Sequence, residues 1–320
     1  MKRRTFFKAA AGTIPLLGIF PGRLQGMIRE KSNGQIEKRS LGKTGEKLSI
    51  IGFGGIVVMD ATPEQASARV GEAINYGVNY FDVAPTYGDA IVKLGPALEP
   101  YRKNVFLACK TTERKKDGSR KELEESLNHM KTDHFDLYQL HAVTTPEDVD
   151  TIFGPDGAME TFLAARKEGK VRFLGFSAHS VEAAMALMDH FDFDTILFPV
   201  NYSTWYAGNF GPQVLERAHS KGMGILALKS LAKGPWPENA TKKIEKCWYE
   251  PQTNPDDALM ALRFTLSHPV TAAIPPGNEN IFKMALDLSR KVTPLNDAEL
   301  ERIKAKGLAG KPLFTYPRKV

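Results

Sequence analysis

Short apolar runs rich in branched residues recur along the chain, at Leu48–Gly52, Tyr80–Val83, Val105–Ala108, Leu137–Leu140, Val171–Phe176, Ile196–Val200, Gly224–Leu228 and Val270–Ile274. They are hydrophobic almost without alternation, as parallel strands covered on both faces are. Helical patterns fill the intervals. Thr62 caps a predicted helix with Pro63 at its first position, Ala66, Val70, Ala73 and Ile74 form its apolar stripe, and Gly77 closes it. Ser119 with Glu122 reads as a capping box ahead of Leu123, Leu127 and Met130. Met159, Phe162 and Leu163 lie on a further helix ended by Gly169; Ser180, Pro212, Pro255 and Asn278 open four more. Eight strand–helix units in roughly 270 residues predict a closed (β/α)8 TIM barrel rather than an open doubly wound sheet. The prediction is a single α/β domain with a short N-terminal extension and an extra C-terminal helix capped by Asn296.

Hydrophobic residues at 42% and charged residues at 25% are those of a globular chain with a sizeable core. The formal charge of +6 is unevenly placed. Residues 1–26 hold Lys2, Arg3, Arg4, Lys8 and Arg23 and no acid, leaving 38 basic against 37 acidic residues beyond them. A nearly neutral body carries no electrostatic footprint for nucleic acid. Two cysteines, Cys109 and Cys247, are too few for a disulfide framework or a cluster ligated by this chain alone, though they leave one pairing open in an oxidising compartment.

The basic opening runs into a short apolar stretch, Ala9 to Phe20, interrupted by Gly12 and Pro15 and too short to span a membrane comfortably. Arg3-Arg4-Thr5-Phe6-Phe7-Lys8 resembles a twin-arginine export signal. That resemblance implies the twin-arginine machinery as a partner and a periplasmic location, with membrane contact only if the signal stays uncleaved. Residues 27–40 read as a polar linker and 41–320 as the barrel.

Barrel chemistry belongs where strands end and βα-loops begin. The second strand ends in Asp82 and runs on to Tyr87, the third ends in Lys110 and the fourth in His141, so four polar groups converge on one rim. Hydride arriving at a carbonyl carbon leaves an alkoxide that needs a proton and a positive environment. Tyr87 is the candidate acid; with an ordinary pKa of about 10 it is a reluctant one, which a neighbouring Lys110 ammonium would correct by stabilising the phenolate. Asp82 would hold Lys110, and His141 would orient the carbonyl oxygen. The remaining histidines show no metal-ligand spacing, and no metal is expected. Cys109, adjacent to Lys110 on a strand, should face the helices as an inert thiol.

At these residues the chain resembles the aldo-keto reductase family. The resemblance runs from about Arg39 to Leu308 through Arg39–Gly45, Leu48–Gly55, Gly77–Gly88 and Asp136–His141, and the Asp82-x4-Tyr87 spacing is its most specific part. It implies an oxidoreductase that moves a hydride between a nicotinamide cofactor and an aldehyde, ketone, sugar or the matching alcohol, without a Rossmann domain. Gly52-x-Gly54-Gly55 fails the dinucleotide fingerprint, since Val57 stands at the last glycine. By the same resemblance Ser177, Asn201, Leu228 and Lys229 fall on the cofactor side, with Gly54 and Gly55 at the mouth of the first strand. Gly277 and Asn278 offer backbone amides to a phosphate at a helix N-terminus, and Lys283 follows. Family habit implies NADP(H), with NAD(H) as the other choice. Ala178 and Leu228 depart from the family's usual asparagine and tyrosine, and His179 is a substitute for the former. Trp205, Tyr206, Trp236, Trp248 and Tyr249 pack loops onto the rim or wall a substrate pocket. A second class stays open: an exported nicotinamide-binding accessory subunit with little turnover.

Overall fold

The computed structural model describes residues 35–240 and 244–317. The segment read as an export signal lies outside them. Eight parallel strands follow one another around a single sheet. β1 (Phe53–Gly54) leads to α1 (Pro63–Tyr76), β2 (Tyr80–Asp82) to α2 (Ala90–Leu98), and β3 (Phe106–Thr111) to α3 (Lys116–His129). After β4 (Phe135–Val143) come α4 (Pro146–Phe153) and α5 (Ala158–Lys167), and after β5 (Val171–Ala178) comes α6 (Val181–His190). β6 (Thr195–Pro199) precedes α7 (Tyr202–Tyr206) and α8 (Pro212–Ser220), and β7 (Gly224–Leu228) precedes α9 (Pro255–Leu266). β8 (Ala272–Ile274) is followed by α10 (Glu279–Ser289) and the extra helix α11 (Asp297–Ala309). A parallel bridge between Ile51 and Ala273, with Gly52 N donating to Ala273 O at 3.0 Å, closes the barrel.

Two boundaries differ from expectation. The run Leu48–Gly52 is not one barrel strand: Lys47–Ser49 pairs antiparallel with Lys38–Ser40, and the barrel strand starts only after the chain turns at Ser49. Lys38–Ser40 therefore belongs to the barrel and not to the linker. Its hairpin plugs the bottom, where Leu41 and Leu48 are fully buried against the inward layer Tyr80, Phe106, Leu137, Leu197 and Leu226. Nor is Ser119 a cap. The α3 helix begins one turn earlier, where Lys116 N donates to Asp156 O, and Glu122 is drawn instead to the end of β3, accepting from Thr111 Oγ1 and Thr112 N.

The other caps form as read. Thr62 and Gln65 make a reciprocal box, Gly77 ends α1 at φ +94°, and Asn296 boxes with Glu299. Ser180 and Asn278 cap α6 and α10. Cys109 is fully buried on the helix-facing side of β3, its thiol pushed up to about 12 by burial, and both cysteines are free.

Candidate active site

Alternation along the strands builds the site. Inward positions recur every second residue, so β2 presents Tyr80 then Asp82, β3 presents Phe106, Ala108 then Lys110, and β4 presents Leu137, Gln139 then His141. The parallel register sets Lys110 beside Gln139 and Asp82 beside Ala108. An apolar layer thus fills the barrel, and a polar layer lies on it toward the C-terminal rim. Lys110 has no exposed surface and Asp82 almost none, and the two form a buried ion pair. Lys110 Nζ also donates to Val83 O at 3.2 Å. The second carboxylate oxygen of Asp82 accepts from Tyr80 OH at 3.1 Å and Gln139 Nε2 at 3.2 Å. Neither Tyr80 nor Gln139 was singled out in the sequence, although each lies at strand spacing from a residue that was.

Tyr87 reaches this pair from the β2–α2 loop. Lys110 Nζ lies 5.0 Å from the centre of its ring, and the His141 ring meets it edge-on at 5.8 Å. The four predicted residues are therefore brought together. Their electrostatics differ from the expectation in one respect: the Tyr87 hydroxyl is held above its ordinary pKa. Burial raises it and outweighs the Lys110 charge, while Asp82 adds to the rise. The cation is already half cancelled by its own partner. Lys110 keeps its proton, since Asp82 and Tyr87 more than offset the burial that would strip it. His141 is neutral; burial and the charges of Lys110, Arg114 and Lys229 push it down to about 3.

His141 is fixed from behind. Its Nδ1 lies 3.3 Å from Ser177 Oγ, which also accepts from Ala142 N at 2.8 Å. Arg114 Nη2 donates to the His141 carbonyl at 2.8 Å while its Nε pairs with Asp148. Ala142 holds φ at +51°, a conformation L residues adopt rarely, and the β4–β5 register shifts there. Ser177 thus serves the histidine. Arg114, unread in the sequence, is the other support.

The residues expected on the cofactor side divide. Asn201 accepts from Thr204 N through Oδ1, capping α7, and leaves Nδ2 buried without a partner among the described residues. Leu228 ends β7 as a half-buried apolar surface. Asn278 spends its side chain capping Asn280 N and Ile281 N, so only backbone at the start of α10 remains for an anion. Gly54, Gly55 and Gly277 are small for packing: side chains there would press on Ile274, Val83 and Ile56. Lys283 is paired with Glu72 at 3.1 Å, and neighbouring Arg69 with Glu279. An orphaned amide donor, an apolar edge and a helix N-terminus spread over β6 to β8 fit a nicotinamide nucleotide.

Of the aromatic residues, Trp248 and Tyr249 stand over Lys229 at 5.1 and 5.4 Å, while Trp205 and Tyr206 pack away on Phe264. Among the described residues no group of three or more His, Cys, Asp or Glu side chains could hold a metal ion.

A (β/α)8 barrel with a buried Lys–Asp pair, a tyrosine above it and a neutral histidine beside it is an oxidoreductase scaffold for carbonyl and alcohol chemistry. Residues 51–307 match the model of the aldo/keto reductase family, and the chain belongs to that family. L-galactose dehydrogenase of Arabidopsis thaliana is 30% identical over 62% of this chain and 67% of its own length. The 6-dehydroglucose reductase of Novosphingobium aromaticivorans is 31% identical over 48% of this chain and 55% of its own length. Among solved structures, aldo-keto reductase AKR11C1 from Bacillus halodurans in its holo form superposes with a TM-score of 0.70 at 22% identity, over 88% of this chain and 99% of that one. An aldo/keto reductase from Klebsiella pneumoniae in complex with NADP and acetate superposes at 0.66 and 19% identity, over 88% and 98%. The two structures share the fold. The protein is an NAD(P)(H)-dependent oxidoreductase of this family.

Proposed function

We propose that the protein interconverts a sugar-type carbonyl and its alcohol, with Tyr87 as the proton donor or acceptor. The observation that carries this reading is the placement of Tyr87 between the Lys110–Asp82 pair and His141 on one rim. The nicotinamide, when bound, supplies or takes the hydride. Asn201 and Leu228 are suited to hold its ring end, and the backbone at the start of α10 its phosphates.

The chain's own groups do the rest. Tyr87 gives its hydroxyl proton to the carbonyl oxygen, or takes it back from the alcohol. The Lys110 ammonium stabilises the negative charge that Tyr87 gains, and Asp82 keeps the ammonium in place. Neutral His141 hydrogen-bonds the same oxygen, in an orientation set by Ser177 and Arg114. Two relatives named for sugar substrates, and an aromatic rim suited to a sugar face, support the substrate class.

We further propose export by the twin-arginine route, with cofactor loaded before export, from Arg3-Arg4 and the residues after them. Titration of the protein's fluorescence with NADPH and NADH, followed by a screen of aldoses and ketoses, tests the whole reading. Binding of either nucleotide with turnover of a sugar is expected. Absence of binding would remove the enzyme assignment of this rim. Nicotinamide in protein recovered from the periplasm would bear out the export proposal, and its absence there would count against it.

A further inference from the structure

Lys229 is the first residue after β7 and holds φ at +65°, a conformation that fixes where its side chain leaves the rim. Its ammonium is stacked on Trp248 and Tyr249 and has no carboxylate partner among the described residues. Asp82 is taken by Lys110, Asp148 by Arg114, and Glu250, next to Tyr249, by Lys233. His179, two residues beyond Ser177, points a buried Nε2 that has no hydrogen-bond partner among the described residues. Its ring lies on Phe314 at 5.4 Å; Phe314 in turn meets Trp248 at 6.2 Å, which leads back to Lys229. The two unpartnered nitrogen groups thus share one aromatic enclosure beside the catalytic histidine. Trp248 is 54% exposed, so the enclosure opens to solvent at its rim.

An ammonium held this way is costly, because burial removes water without supplying an anion. The cost is visible: burial and the nearby Lys110 pull Lys229 down to about 8, and burial with Lys229 pulls His179 down to about 4. Lys229 is a donor, and His179 Nε2 is one in the tautomer that carries its proton there, while a carboxylate is acceptor-only with two oxygens to place. In a space walled by Phe314 and Trp248, charge-assisted hydrogen bonds are stronger than in open water.

We propose that Lys229 and His179 form a carboxylate-binding subsite for the substrate, so that this enzyme prefers a carbonyl compound bearing an acid group, such as a sugar acid. The inference rests on the reading of the rim as a carbonyl site. Lys229 is coupled electrostatically to Lys110, His141 and His179, which stand around the reacting oxygen, and also to Cys247 beside its aromatic stack. The same ammonium would also suit the cofactor's diphosphate, and the test separates the two anions.

The full chain, loaded with cofactor, is assayed with D-glucuronate and D-glucose, which differ at C6 by a carboxylate. Wild type is expected to show a KM for the acid at least tenfold below that for the neutral sugar. Lys229→Met, which keeps the apolar stem, should remove roughly ten- to a hundredfold of that preference through KM, and His179→Phe a smaller part of it. Lys229→Arg should retain it. Nucleotide affinity, read separately by fluorescence, should move less than threefold. An unchanged acid-to-neutral ratio in Lys229→Met would overturn the proposal, and a tenfold weaker nucleotide Kd with that ratio intact would assign Lys229 to the diphosphate. If wild type turns over neither sugar, quenching of tryptophan fluorescence by glucuronate still reads the subsite. Quenching lost in Lys229→Met supports the subsite while the sugar reading fails, and no quenching in wild type overturns it.

Discussion

Asp82→Asn removes one negative charge from the barrel interior and little else. The side chain keeps its volume, and its oxygen can still accept from Lys110. Its new amide faces Tyr80 OH and Gln139, whose Oε1 is buried without a partner and can accept after the amide turns over. What remains is a lysine ammonium with no surface exposure, held only by neutral oxygens, the Val83 carbonyl and that of the new amide. The protein then carries the buried charge or gives up the proton. The second route sets the ceiling: deprotonating an ordinary lysine at about pH 7 costs about 4–5 kcal/mol, at about 1.4 kcal/mol per pH unit below 10.4. Breaking a buried pair from one side costs about 3–5 kcal/mol, which agrees. For a chain of this size that is a fall in Tm of roughly 8 °C. The sign of the pH dependence follows. Without Asp82 the folded-state pKa of Lys110 drops below its unfolded value, so the penalty is full at neutral pH and fades as pH rises toward 10.4. Urea unfolding of wild type and variant at about pH 7 and about pH 9.5 should give deficits of about 4 and about 1 kcal/mol respectively. A deficit under about 1 kcal/mol at neutrality, or one that does not shrink with pH, would refute this account of the pair.

Tyr87→Phe should lower kcat about 10²–10⁴-fold and leave the nucleotide Kd nearly unchanged, by steady-state kinetics and fluorescence titration; full activity would end the assignment. Because Tyr87 is held above its usual pKa, alcohol oxidation should speed up about tenfold per pH unit through neutrality, while carbonyl reduction stays level until above about pH 10. A break near pH 7 in both directions would contradict this. His141, His179 and His268 are depressed to about 3, 4 and 4, so they stay neutral in the fold but charge in the unfolded chain as pH falls below about 6.5. Near pH 5 unfolding should therefore take up about three protons, seen as a loss of about 4 kcal/mol per pH unit in denaturant titrations. Finally, Lys283 and Arg69 are already paired with Glu72 and Glu279, so NADPH should bind no more than about tenfold better than NADH. Substituting both glutamates by glutamine should tighten NADPH alone.

The barrel was legible because strands buried on both faces read as unbroken apolar runs. A polar residue closing such a run stands out, which is how Asp82, Lys110 and His141 could be picked before any fold was known. The supports were harder to see. Tyr80 and Gln139 look like ordinary strand residues until alternation turns them inward, and Arg114 lies in a loop whose path depends on α4 and α5. The Ser119–Glu122 spacing matched a capping box, yet Glu122 gains more by satisfying Thr111 and Thr112 at the site's edge. The cofactor side was least readable. Much of what it offers is backbone amide and packed glycine, and its charged members proved committed to local partners.

At neutral pH the rim holds a protonated phenol, an ammonium and a neutral imidazole. On the proposed reading, that is the set a carbonyl oxygen needs as it becomes an alcohol: a proton to take, a positive charge nearby and a hydrogen-bond donor that competes for no charge. Running backwards, the same site needs the phenolate, which a tyrosine above pKa 10 supplies in less than about one part in a thousand at pH 7. The protein cannot move the equilibrium of the reaction, but it does set how much of the enzyme is ready for each direction at a given pH. Lys110 pulls toward the phenolate, but burial outweighs it and keeps the proton on Tyr87. Asp82 makes burial of that lysine tolerable and adds to the rise in the Tyr87 pKa that burial sets. One carboxylate therefore supports the stability of the barrel interior and adds to the burial that keeps the tyrosine above it protonated.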